Sequence, residues 1–159
     1  LLKDAAGRAG RDPATVEVAA VAVNACDVSE EKMLNYIIRR MNTYFMWPMI
    51  DLLVKLNDWD PSTAERIKKA VAEQANNPVG ALGDEGVSRE LDDLRRMRDL
   101  YPQHWIEQCN AVGAANDGAR SVRSLFDAGA DKVLLHGAAP QDFQTLVEMW
   151  PNHRPKSFK

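Results

Sequence analysis

The chain has 159 residues, 17.7 kDa, and 20 basic against 23 acidic side chains, for a formal net charge of −3. With 45% hydrophobic and 27% charged residues and a pI near 5.6, it is composed like a globular domain. This excludes a disordered acidic tail and a nucleic-acid binder driven by net positive charge. A single core of ordinary size is affordable at this length, but a complete (β/α)8 barrel of roughly 250 residues is not.

In chain order, Leu1–Ala9 reads as the last turns of a helix stopped by Gly10, and Arg11-Asp12-Pro13 as a turn. Val16–Val23 is short, β-branched and nearly free of polar alternation, which predicts a strand buried on both faces in a parallel sheet. Ser29 caps the next helix, with Glu30 and Glu31 in its first turn. Met33, Ile37, Met41 and Phe45 recur at helical spacing, and Leu52, Leu53 and Leu56 extend that face past a break at Pro48 near Trp47. Asp60-Pro61 opens a helix to about Glu73 with Ala64, Ile67 and Val71 inward. Residues 75–87, with Asn-Asn-Pro and three glycines, read as a flexible loop. Ser88–Leu100 predicts a charged helix whose run Arg89–Arg98 mixes both signs, a salt-bridged surface and not a nucleic-acid patch. A short helix through Trp105, Ile106 and Cys109 follows, then a turn at Gly113–Asn116 and a helix over Asp117–Ala128. Lys132–His136 is the second predicted strand, also buried, and Pro140–Trp150 the last helix before a polar tail over 151–159.

Two strands joined by helical crossovers imply parallel pairing and an α/β fold. Two parallel strands cannot cover their own edges, so the pattern predicts a piece of a larger sheet; the start at Leu1, which is not methionine, points the same way. Cys26 and Cys109 form no Cys-x-x-Cys pair, so two free, buried thiols are expected and no metal site. The four tryptophans are read as packing groups. No apolar run reaches the roughly 18 residues of a membrane span, and no signal-peptide pattern is present, so a cytoplasmic location without membrane or nucleic-acid partners is expected.

Several segments carry a family likeness. Ala9-Gly10-Arg11-Asp12-Pro13 before a strand resembles the GRDP turn of luciferase-like flavin- and F420-dependent oxidoreductases, and AGADKVLLHG from Ala128 to Gly137 resembles the strand near their end. The helix through Arg39–Pro48 and the Asn57–Asp60 turn look like that family's penultimate helical excursion. Asn110-Ala111-Val112-Gly113 falls where the family has Gly-Thr or Gly-Ser; here Gly113-Ala114 lacks the hydroxyl. The resemblance implies that residues 1–159 are the C-terminal part of a (β/α)8 TIM barrel, its last two β/α units, helix-rich and with two parallel strands. It further implies hydride transfer between coenzyme F420 or FMN and a small organic substrate, with oxygen in some members, and a possible homo-oligomer. Catalytic residues are expected from strands outside this sequence, so none is assigned.

Carboxyl ends of barrel strands form the working face. That nominates Asn24, with Ala25 and Cys26, after the first strand, and His136 and Gly137 after the second. His136 is read either as a cofactor or substrate contact or as a structural histidine on the rim. Gly137, with the following amides of Ala138 and Ala139, is read as an anion cradle or a plain tight turn. Asn24 is read as a cofactor contact or a local cap. Arg39, Arg40 and Tyr44, by resemblance, border the substrate entrance, against the plainer reading of a solvated helix face. The alternative to an enzyme is a non-catalytic helical interaction module derived from one.

Overall fold

The computed structural model of the chain describes residues 2–46, 48, 50–76 and 84–156. Three parallel strands form its sheet: β1 (Ala19–Cys26), β2 (Asn110–Gly113) and β3 (Lys132–His136), in the order β2-β1-β3. The α/β class is as expected, but there are three strands where the sequence suggested two. β2 escaped notice because it has four residues, two of them Asn110 and Gly113, and follows a helix directly. It is held as a strand by Asn110, whose amide donates to the Ile106 carbonyl at 2.8 Å and ties strand to helix.

The first strand also lies further along than its β-branched run suggested. Residues 16–18 carry no ladder: Val18 instead donates to the Asp131 carboxylate (2.8 Å), and its carbonyl accepts from the Asp131 and Lys132 amides. The ladder extends to Cys26 because β2 pairs with it from Val23 to Cys26, while β3 pairs from Ala19 to Val23.

Helices cover the two faces unequally. On one face lie α2 (Glu30–Met33), a π-helical segment (Leu34–Ile38), α3 (Arg39–Phe45), α4 (Ile50–Leu56), α5 (Pro61–Asn76), α6 (Asp84–Leu100) and α7 (Gln103–Cys109). Their shared core gathers Leu34, Ile37, Ile38 and Ile67 around Val23 and Ala25 of β1. Its centre is aromatic. Trp105 stacks on Trp59 with centroids 4.3 Å apart, and Phe45 lies 6.4 Å beyond, nearly parallel. Tyr101 meets Phe45 edge-on at 5.3 Å and donates its hydroxyl to Asn42, which donates to Gln74. This buried polar chain is satisfied along its length, and burial raises the Tyr101 phenol above its ordinary range. Asp60 caps α5, accepting from the Thr63 amide at 2.8 Å, as its sequence position predicts.

Against the other face pack α8 (Ala115–Asp127) and α9 (Gln144–Met149), with Ala22, Cys26, Ala111, Ala119, Val122 and Leu146. The small first helix α1 (Leu2–Arg8) precedes a 3-10 turn at Pro13–Thr15. The expected last helix is broken into a 3-10 turn, Pro140–Phe143, then α9 and a second 3-10 turn that takes in Pro151 and Asn152 of the expected tail.

Three further expectations are corrected. Leu52 and Leu56 do not continue the apolar face; they are 51% and 71% exposed, and Ile50 and Val54 are buried instead. The break between Phe45 and Ile50 resets the helical phase. Of the expected loop 75–87, residues 75, 76 and 84–87 are helical; 77–83, like Trp47, lie outside the described residues. Finally, the strands are not buried on both faces. The larger helical layer covers β1 only from Val23 onward, so Val21 and its register partner Leu134 stand 57% and 58% exposed.

Gly118 shows how closely α8 approaches the sheet. A Cβ there would sit 2.1 Å from the Cys26 sulfur. Gly118→Ala is therefore expected to cost about 2–3 kcal/mol, as overpacked cores do, measured by urea denaturation. Adding Cys26→Ala frees that space, so the double variant should be more stable than the sum of the two singles by about 1 kcal/mol or more. Strict additivity would contradict the contact.

Candidate functional site at the carboxyl end of the sheet

The connection from β1 to β2 runs over one face and that from β2 to β3 over the other, so the chain changes direction between β1 and β3. In open α/β sheets ligands settle at the carboxyl ends of strands at such a switch point. Asn24, His136 and Gly137 all lie there. His136 is the register partner of Val23, one residue before Asn24. Side chains alternate across a strand, so Asn24 and His136 point to opposite faces of the sheet. The backbone brings the nominated residues together; the pleat separates their side chains.

Asn24 is fully buried beside α9, its amide nitrogen donating to the Asp142 carbonyl at 3.3 Å. Its Oδ1 is buried with no hydrogen-bond partner among the described residues. An orphaned acceptor is costly and calls for a donor. The segment above it is pinned by three side chains that sequence reading did not single out. The Asp142 carboxylate accepts from Lys32 Nζ at 2.7 Å on one oxygen and from the Tyr36 hydroxyl at 2.8 Å on the other. Lys32 and Tyr36 are four residues apart, the spacing that puts two side chains on one helical face, and that spacing was the available signal. Asp142 is only 11% exposed at its side chain.

Gly137 makes the turn from β3 into this segment. Its φ of +95° suits glycine, and a Cβ would sit 2.6 Å from Val23 Cγ1. Its tight-turn role is thus built in. The expected helix N-terminus after it starts as the 3-10 turn at Pro140, which has no N–H to offer. At the neighbouring rim, Asp27 adopts φ +51°, accepts the Ala115 amide at 3.1 Å and so occupies the start of α8 with its own carboxylate.

His136 is exposed, and Arg40 reaches it. One guanidinium nitrogen lies 3.3 Å from Nδ1 and 3.4 Å from Nε2. Arg39, by contrast, turns away to Asn35 and Glu90. Tyr44 is exposed one turn beyond Arg40.

Burial pushes the Cys26 thiol up to about 11, so it is no ready nucleophile at neutral pH. Both cysteines are free; Cys26 is buried, while Cys109, expected to be buried, has an exposed residue surface because α7 ends there. Among the described residues no group of three His, Cys, Asp or Glu side chains is placed to hold a metal ion. No described helix is long and apolar enough to cross a membrane. The clefts among the described residues lie elsewhere and contain none of the nominated residues. One of about 580 Å³ runs between α7 and α8 beside β2, with Arg120 paired to Asp117 and Arg98 bound to Gln103. Another, about 140 Å³, is an apolar notch among Val122, Phe126, Leu135 and Trp150.

No protein-family model, curated protein or solved structure matches the chain.

The Lys32 ammonium, and then the Tyr36 hydroxyl, hold the Asp142 carboxyl below its ordinary value of 3.8. Asp142 raises Lys32 above 10.5 in return. A lowered carboxyl contributes fully above its unfolded value and loses that contribution as pH falls through the folded one; a raised amine contributes fully below its unfolded value and loses it as pH rises. The latch is therefore complete from about pH 4 to 10. Carboxyl-carbon NMR titration should place the Asp142 midpoint below 3.8, and Lys32→Met should move it upward. An unshifted midpoint in the unmodified chain would contradict the latch.

Proposed function

We propose that the chain forms the carboxyl-end rim of a luciferase-like oxidoreductase that moves a hydride between F420 or FMN and a small organic substrate. One observation carries the reading beyond the sequence likeness: the in-register pair Val21 and Leu134, large, apolar and uncovered on the face opposite α8. A (β/α)8 barrel has helices outside and apolar strand residues inside. Here α8 and α9 back the β1–β3 pair as outer helices do, and Val21, Leu134 and His136 share the part of the opposite face that further strands would enclose, below the α2–α7 layer on Val23 and Ala25. The adjacency of β1 and β3 suits the seventh and eighth strands of such a barrel. β2 pairs only with the upper half of β1, leaving the outer edge of Ala19–Ala22 open for a preceding strand.

The donor set suits the cofactor's ring edge in part. Both rings carry an N–H flanked by carbonyls, and the exposed His136, whose acceptor nitrogen faces Arg40, offers its own ring N–H. Asn24 Oδ1 lacks the N–H it needs, but it lies beneath the Asp142 segment, so it serves a ligand only when that segment lifts. The cofactor supplies the hydride chemistry; this chain's part is to position the ring from His136 and to close the rim with Asp142.

A second reading, a non-catalytic interaction module, is favoured by the strand order β2-β1-β3, since a barrel places consecutive strands side by side. The two separate on one experiment. Titration of FMN and of F420 with the full chain carrying this sequence should quench cofactor fluorescence, and His136→Ala should weaken the tighter of the two by roughly 3- to 10-fold, the worth of one hydrogen bond. Quenching by neither cofactor overturns the oxidoreductase reading and leaves the module.

A further inference from the structure

We infer that the open face of β1 and β3 is a binding site for an organic carboxylate with a flat or extended apolar body, and that Arg40 is its anion-binding residue. The inference deepens the oxidoreductase reading, on which it rests for calling this ligand a substrate; the site itself stands on the geometry alone.

Arg40 is an arginine without an acid. Among the described residues its polar partner is His136, at 3.3 and 3.4 Å. Arg39 has Glu90, Arg95 has Glu30 and Asp92, and Arg123 has Asp127, whereas Arg66 donates to Thr63 and Arg98 to Gln103 and the Tyr101 carbonyl; what sets Arg40 apart is that it stands against a histidine beside an uncovered apolar face. A neutral imidazole can accept one N–H from the guanidinium, which leaves its own N–H and the remaining guanidinium donors facing outward. That is the donor pattern a carboxylate takes in two-pronged fashion. No negative charge among the described residues neutralises it.

Directly below lies an apolar shelf. His136 and Leu134 share a face, as do Val23 and Val21 opposite them, so Val21 and Leu134 sit one strand repeat, roughly 7 Å, from the Arg40–His136 pair. Tyr44, one helical turn along from Arg40, is also exposed. At the far end of the face Lys132 is neutralised by Glu17 at 2.8 Å, so positive charge is unbalanced at the Arg40 end alone. A cation at one end and two uncovered aliphatic side chains at the other complement a ligand with a carboxylate head and an apolar body the size of a bicyclic aromatic ring.

The probe is 2-naphthoate, with 2-naphthamide as its uncharged counterpart, titrated into the full chain by calorimetry at moderate salt. Naphthoate is expected to bind at least about tenfold tighter than the amide, as a charge-assisted hydrogen bond allows. Arg40→Met keeps the aliphatic stem, so it should remove that preference and leave the amide unchanged, while Arg40→Lys should retain part of it. Leu134→Asp should weaken naphthoate more than naphthamide. Equal affinities for the two probes, no binding of naphthoate, or a preference that survives Arg40→Met in a variant with the circular dichroism spectrum of the parent would overturn the inference. FMN and F420 titrations on the same samples keep the two readings apart. Naphthoate preference without cofactor binding sinks the oxidoreductase reading only; cofactor binding without the preference sinks the carboxylate site only.

Discussion

The structure depends on how β1 divides its two edges. β2 bonds its upper half, from Val23 to Cys26, and β3 its lower half, from Ala19 to Val23, so the two ladders overlap at a single residue. Every ladder bond near the carboxyl end therefore involves β1 and β2, and every one near the amino end β1 and β3. The offset sets where helices pack. The large helical layer follows the β1–β2 half and buries Val23 and Ala25, and the β1–β3 half is left to α8 and α9 on one side and to solvent on the other. The rim at the end of β3 consequently sits halfway up β1, and the segment after Gly137 fills the step, which is why Asn24 is covered and His136 is not.

The helical layer is far larger than a crossover of four strand residues needs. Its own centre, the Phe45–Trp105–Trp59 stack with Tyr101 at its edge, draws from α3, α7, the turn before α5 and the bend after α6. Aromatic pairs in such offset and edge arrangements add to the area they bury. Trp59 completes the set by donating its indole N–H to Gln108 at 2.8 Å, so no polar atom of the cluster is stranded. The layer thus holds itself together and presents α3 as a firm edge, from which Arg40 reaches the rim.

Much of this was legible in the residues. The Asp60-Pro61 helix start, the Gly10 stop, the Ser29 cap and the Lys132–His136 strand follow from local rules that packing did not overrule. The failures have a common cause in partners distant in sequence. Val16 and Val18 have strand propensity but bond to Pro13 and to the turn before β3 respectively, whereas Ala25 and Cys26 became strand because β2 lies beside them. The β3 residues alternate in exposure although their composition suggests burial, because what covers a strand is not written in the strand. His136 and Gly137 were found from their place after an apolar run. Asp142 and Arg40 owe their roles to neighbours 106 and 96 positions away, which no local pattern displays.

The close approach of α8 to β1 also has a chemical side. Around the Cys26 sulfur, on the flank facing Gly118, there is room for hydrogen and nothing larger, and the thiol already donates to the Ala111 carbonyl at 3.3 Å. Oxidation to a sulfenic acid adds an oxygen to that sulfur and needs the thiolate to begin. The fold denies both the space and the ionisation, so the residue nearest the carboxyl end of the central strand is kept inert toward peroxide. Packing there takes the role of an antioxidant.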